Sequence, residues 1–177
     1  MNFGPASTAI MALGSVVIFV LVGAFSAAYL AGALDIANGQ PVTVGSFFKP
    51  RNVGGVLVAS VLIGLVNGVL NLLNIIPFLG AVAGFFLGLA LSVAVMFAHV
   101  SIVDRNLTGV DGIKASVNLV KANLSNALLA WLVGGAILFV GALLCTVGLL
   151  VAIPVAVLFD VFVYRRLSGA PIAPAEL

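Results

Sequence analysis

The sequence predicts an all-α protein, a polytopic transmembrane helix bundle with about five spans. Of the 177 residues, 63% are hydrophobic and only 7% are charged, whereas soluble domains are about 45–50% apolar and about 25% charged. The charged residues also leave long uncharged stretches between them, and the mean hydropathy is +1.35. This composition excludes a soluble enzyme, a disordered tail and a nucleic-acid-binding domain.

The first predicted span covers residues 9–33. No charged residue precedes Asp35, and a membrane helix needs about 20 apolar residues. The alternative interpretation of this apolar run is a cleaved signal peptide. The absence of Lys or Arg before the apolar run, and the length of that run, argue against it.

Two longer stretches, uncharged except for Asp160, each predict a pair of spans. Residues 53–103 would form a helix of about 76 Å, and residues 124–164 one of about 62 Å, against a hydrocarbon core of about 30 Å. Turn signals lie near both midpoints, in the segments NIIPFLG and CTVG. The predicted helices are 53–74, 79–102, 124–144 and 148–166.

The cations predict the orientation of these spans. Five spans place segments 35–52, 104–123 and the tail after residue 164 on one side of the bilayer, whereas four spans would divide the cations between both sides. Those segments contain every Lys and Arg of the chain: Lys49, Arg51, Arg105, Lys114, Lys121, Arg165 and Arg166. Because cytoplasmic loops are enriched in Lys and Arg, we expect the N-terminus outside and the C-terminus inside.

Connector 104–123 is predicted to form a short amphipathic helix with Asp111 as its N-cap. Its apolar face carries Ile113, Val117 and Val120. The opposite face carries Lys114, Asn118, Lys121 and Ser125. Two interpretations stay open: a structural joint packed under the bundle, or a helix in the membrane interface with Lys114 and Lys121 toward lipid headgroups.

Connector 35–52 is shorter, and Thr43 is predicted to cap a single turn with Phe47 and Phe48 at the interface. The two connectors align at a few positions, among them Asn52 with Asn123. We therefore expect a single transmembrane domain over 1–177, made of one helix plus two repeated connector–hairpin units at about 35–103 and 104–167. The repeats would run in parallel, unlike the inverted repeats of many transporters.

Small and polar residues are predicted to hold the helices together, because lipid removes the hydrophobic drive between them. The third helix carries Gly80, Gly84, Gly88 and Ser92 on one face. The second helix carries a stripe that includes Ser60, Asn67, Asn71 and Asn74. The asparagines would either hydrogen-bond across the bundle or line a polar path.

Two ionisable residues, His99 and Asp160, are predicted about 7 Å inside the cytoplasmic boundary. Intramembrane ionisable groups are functional candidates. A contact between them would be either a static tie or a proton or substrate site. With Asn67, Asn71 and Asn74 they form the predicted polar intramembrane site.

No motif for catalysis is visible. The chain lacks paired carboxylates, a phosphate-binding glycine loop and a nucleophile elbow, and one His with one Cys excludes the usual zinc sites. We therefore expect no enzyme activity, no cofactor and no bound metal. The predicted function is a non-enzymatic accessory or scaffold subunit acting through helix–helix contacts. The alternative is a small permease, channel or lipid-handling protein.

Three stretches resemble a group of polytopic bacterial membrane proteins common in actinobacteria. They are ALDIANGQPVTVGSFFKPRNVGGVL, VDRNLTGVDGIKASVNLVKANLSNALLAWLV and LLCTVGLLVAIPVAVLFDVFVYRRLSG. The same pattern is similar to the membrane domain of some glycerophosphoryl diester phosphodiesterases. The resemblance implies a bacterial cytoplasmic membrane, about six helices with one ahead of residue 9, and no activity. Predicted partners are the lipid bilayer and another membrane protein or a second copy, with no nucleic acid.

Overall fold

The computed structural model describes residues 21, 23, 25–72, 78–144 and 147–173, and this part is helical without a strand. The helices are α1 (Phe25–Ala37), a 3₁₀ turn (Val44–Phe48), α2 (Val53–Leu72), α3 (Leu79–Val95), α4 (Ala98–Arg105), α5 (Gly109–Ala122), α6 (Leu124–Leu143) and α7 (Leu149–Ser168). The predicted all-α class is confirmed for these residues. Helix α1 continues to Ala37, beyond the predicted end at residue 33.

Three helical segments in the described ranges are long and apolar enough to cross a membrane: Val53–Leu70, Val82–Arg105 and Leu124–Leu143. The described part of the first predicted span is a shorter apolar helix, Phe25–Ala37. Helix α7 has 20 residues and contains Asp160, Arg165 and Arg166. Most of the first predicted span and parts of both predicted turns lie outside the described residues.

The predicted helix over 79–102 corresponds to one candidate span, Val82–Arg105, but the chain is not α-helical throughout this stretch. The chain leaves the α3 helix after Val95 and begins α4 at Ala98. Ser116 of α5 stabilises the break, because its hydroxyl donates to the Ala94 carbonyl at 2.8 Å and accepts from the Phe97 N–H at 3.2 Å. A hydroxyl from a neighbouring helix thus pairs backbone groups at the break.

The N-cap of α5 is Thr108, and the prediction of Asp111 is wrong. The Thr108 hydroxyl accepts from the Asp111 N–H at 3.2 Å and donates to the Asp111 carboxylate at 2.7 Å. Asp111 is therefore the third residue of the helix. There its negative charge lies at the positive end of the helix dipole.

Helix α5 packs against α2, α3 and α4. Its buried residues are Gly109, Gly112, Ser116 and Val120, so the buried face is centred on small residues, and Ile113 and Val117 lie at its edge. A Cβ at Gly109 would lie 2.7 Å from the Gly55 carbonyl oxygen. This packing favours the structural-joint interpretation of α5. Lys114 and Lys121 are exposed, and their contact with headgroups stays a prediction.

Polar contacts place the cation-bearing segments at one end of the bundle. Arg51 forms a bidentate pair with Asp35, with both N–O distances 2.9 Å. Arg165 of α7 pairs with Asp104 of α4 at 2.5 Å. The Asn52 amide donates to the carbonyls of Ile102 and Leu107 at 3.2 and 2.7 Å. We call this region the packed end, and it also contains most of the buried core, including Leu34, Val56, Phe97, Ile102 and Tyr164.

Candidate functional site

A cavity of about 350 Å³ lies between α1, the junction of α3 and α4, and α7. Both predicted ionisable residues, His99 and Asp160, line it. On α7 the lining residues are Ile153, Val157 and Asp160, which recur at four- and three-residue spacing and so share one helix face. The cavity is therefore built from one face of a regular helix and from the break between α3 and α4.

The helix break positions His99. Because α4 begins at Ala98, His99 lies in its first turn and faces α2. Its Nε2 atom is 3.0 Å from the hydroxyl of Ser60, a residue only 7% exposed. This hydrogen bond fixes the orientation of the imidazole ring at the cavity wall.

Asp160 lines the cavity from α7, and a Cβ added at Gly134 of α6 would lie 3.7 Å from its Oδ1 atom. Within the described ranges its carboxylate has no hydrogen-bond donor and no ion pair. The structure thus brings His99 and Asp160 to one cavity without a direct ion pair between them. A contact between the two side chains through a bridging water stays a prediction.

The α1 wall of the cavity is aromatic and apolar. Phe25, Ser26 and Tyr29 line it, and the Tyr29 ring packs on Phe47 with a centroid distance of 5.4 Å. Phe47 is half-buried against α1, whereas Phe48 is 65% exposed. Sequence reasoning missed Phe25, Ser26 and Tyr29, since their only signal is their common face on the first helix.

The predicted asparagine stripe does not join this site in the described residues. Asn67 is exposed, and its amide donates to the Ile63 carbonyl of its own helix at 3.1 Å. The side chain of Asn71 and the whole of Asn74 lie outside the described part. The polar intramembrane site therefore consists, as far as the structure describes it, of His99 and Asp160 with Ser60, Ser26 and Tyr29.

The described residues leave the predicted glycine face of α3 largely uncovered. Gly80 is buried, but a Cβ at Gly84 would meet only the Leu70 carbonyl oxygen, at 3.6 Å, and a Cβ at Gly88 would meet no described atom within 4 Å. Ser92 donates its hydroxyl to the Leu89 carbonyl of its own helix at 2.8 Å. The described residues also contain no group of three His, Cys, Asp or Glu side chains able to hold a metal ion.

The chain is similar to mycobacterial proteins. It is 43% identical over 171 residues to "Uncharacterized protein Rv2560" of Mycobacterium tuberculosis and 42% identical to "Uncharacterized protein Mb2590" of Mycobacterium bovis. Each match covers 97% of this chain and 50% of the relative, so the chain spans about half the length of these curated relatives. No protein-family profile and no solved structure matches it.

The predicted similarity to actinobacterial-type proteins thus holds at the level of these mycobacterial relatives. Their names state no activity. Nothing among the matches links the chain to glycerophosphoryl diester phosphodiesterases, so that resemblance stays a prediction.

Proposed function

We propose that this chain is a non-enzymatic integral membrane protein that acts as an accessory or scaffold subunit through helix–helix contacts. The observation that carries the proposal is the uncovered glycine face of α3 at Gly84 and Gly88. Small residues let helix backbones approach closely in lipid, and they are enriched where membrane helices associate. A second membrane helix, from another protein or a second copy, fits this face.

Photo-crosslinking in native membranes tests the proposal. Phe85 is 61% exposed beside Gly84, and Phe139 is similarly exposed on α6 at 66%. Replacement of Phe85 by benzoylphenylalanine is expected to give a protein adduct, and Gly88→Leu in the same chain is expected to abolish it. The same replacement at Phe139 is the matched control, for which we expect adducts with lipid. Equal protein adducts at both positions, or none at Phe85, contradict the proposal.

The topology belongs to the same proposal: five spans, the N-terminus outside, the C-terminus inside, and two repeated units in a bacterial cytoplasmic membrane. Helices α2 and α6 support the repeat, since both have 20 residues and begin directly after Asn52 and Asn123.

Cysteine labelling tests the sidedness. In a Cys145→Ala background, Lys114→Cys is expected to be protected from a membrane-impermeant maleimide added to intact cells. Val147→Cys, at a residue 70% exposed beyond α6, is expected to react. Labelling of Lys114→Cys from outside would overturn the topology.

A second candidate function is a small permease or lipid-handling protein. The specific observation in its favour is the cavity that His99 and Asp160 share. Mass spectrometry of protein purified in mild detergent tests it: a lipid or small molecule retained by the wild type is expected to be lost in Val157→Trp, which fills the cavity. If Val157→Trp retains the same molecules, the cavity does not hold them.

A further inference from the structure

We propose that the cavity between α1, α4 and α7 binds an amphiphilic organic amine, whose cationic head is held by the Asp160 carboxylate. This inference rests on the second candidate function and names the ligand class of that site. It is independent of the glycine face of α3.

The charge of the lining is the first argument. Among the described lining residues Asp160 is the only one of the Asp, Glu, Lys and Arg type, and its carboxylate has no donor within the described ranges. The cations closest to it along α7 are directed elsewhere. Arg165 pairs with Asp104 and donates to the Pro171 carbonyl at 3.1 Å, and Arg166 lines a separate groove with α6.

An uncompensated carboxylate at membrane depth is costly, and such groups are found paired or facing a cavity that admits a partner. Within the described part of the chain no Lys or Arg pairs with Asp160, and the imidazole of His99, which lines the same cavity, is hydrogen-bonded to Ser60. A cation that enters the cavity would supply the missing partner. Anionic ligands are disfavoured by the same carboxylate.

The side chains that line the cavity favour an organic cation over a metal ion. Apart from Asp160, oxygen atoms reach the cavity from few side chains, chiefly Ser26 and Tyr29, whereas hard metal cations take six or more oxygen ligands. The remaining wall is apolar or aromatic, with Phe25, Ile153 and Val157. Aromatic faces attract ammonium groups, and aliphatic walls accommodate alkyl substituents.

The volume of about 350 Å³ suits a small ligand, since ligand pockets run from about 300 to 1,000 Å³. His99 also lines the cavity, with its ring hydrogen-bonded to Ser60. The arrangement thus resembles an amphiphile site, with one anionic anchor, one aromatic side and an apolar floor.

Isothermal titration of the full chain in dodecyl maltoside tests the inference, with hexyltrimethylammonium as the probe and hexanesulfonate as the matched anion. We expect saturable binding of the ammonium and none of the sulfonate. Asp160→Asn, which keeps the shape and removes the charge, is expected to weaken binding roughly tenfold or more, because the attraction between the carboxylate and the quaternary ammonium is coulombic. Tyr29→Ala is expected to weaken it as well, and Tyr29→Phe, which keeps the ring, to preserve most of it.

Asp111→Asn is the control for a change of net charge, because Asp111 is exposed on α5 outside the cavity. Binding by Asp160→Asn equal to the wild type, or comparable binding of the sulfonate, overturns the inference. If circular dichroism shows that Asp160→Asn does not fold, the comparison of Tyr29→Ala with Tyr29→Phe tests the inference instead. Val157→Trp could expel a co-purified molecule although the wild type binds the ammonium no better than the sulfonate. In that case the second candidate function is supported and the ligand class proposed here is wrong.

Discussion

The packed end and the opposite halves of the long helices differ in the fraction of their side chains that is buried. Only 17% of Val53–Leu70 and 17% of Leu124–Leu143 is buried, against 39% of Val82–Arg105, whose last part is α4. At the packed end, amphipathic helices bury apolar residues and form ion pairs. Away from it, large apolar residues such as Leu132 and Phe139 are exposed, 60% and 66%, as lipid-facing residues are.

We infer from this difference that tertiary stability is concentrated at the packed end, where the charged residues lie. Helices in lipid gain little from burying apolar area, so small residues and polar contacts hold them together. Here the close contacts at Gly109 and Gly112, together with the polar contacts of Ser116 and Arg165, fall at the packed end. Substitutions there should destabilise the fold far more than matched substitutions elsewhere.

The largest effect is expected for Arg165→Ala. The Arg165 side chain is 7% exposed and that of Asp104 14% exposed, and removal of one partner of a buried pair costs about 3–5 kcal/mol because the other charge is left uncompensated. Arg51→Ala breaks a pair in which the arginine is 52% exposed, so its cost should be about 0–1 kcal/mol. Unfolding in detergent micelles measures both, and similar losses would refute the contrast.

Gly109→Ala should have an intermediate effect, about 1–3 kcal/mol of destabilisation. Its Cβ would lie 2.7 Å from the Ala59 backbone nitrogen and from the Gly55 carbonyl oxygen, neither of which can rotate away. The control is Gly135→Ala on α6, where a Cβ meets no described atom within 4 Å. Since alanine is the better helix former, that variant should gain about 0.5–1 kcal/mol. Melting temperatures that shift in the same direction would count against close packing at Gly109.

Ser116→Ala should cost the least of the three, about 1–2 kcal/mol, since it leaves the Ala94 carbonyl and the Phe97 N–H without their hydroxyl partner. Ser92→Ala removes a hydroxyl that bonds only within α3, so little change is expected. Hydrogen exchange at Phe97 provides a local readout. Unchanged protection of that amide in Ser116→Ala would show that the serine does not hold the break.

The starts of α2 and α6 could be predicted from the sequence, because each follows an asparagine at the beginning of a long apolar stretch. The break after Val95 could not. The segment AVMFAHVS contains neither Gly nor Pro, and the interruption depends on Ser116, some 20 positions later in the chain. The Thr108 cap was recognisable from Thr108 and Asp111, three residues apart as in a capping box.

The candidate site was predicted in part. His99 and Asp160 are recognisable as ionisable residues in otherwise uncharged stretches, and both line the cavity. Their aromatic neighbours Phe25 and Tyr29 carry no comparable signal, because aromatic residues on a membrane helix also face lipid. The buried face of α5 was predicted only in part. Val120 of the predicted apolar stripe is buried and Ile113 packs against the core, but the closest packing is at small residues such as Gly109 and Gly112.

Asn52 has a consequence for the order in which the protein is assembled. Its side chain accepts from the Gly55 N–H at 3.2 Å, and its amide donates to carbonyls 50 and 55 positions later in the chain. A ribosome adds about 5–20 residues per second, so these acceptors emerge seconds after α2 itself. The amide of Asn52 thus finds both carbonyl acceptors only after residue 107 has been synthesised, and the packed end is completed after the first hairpin.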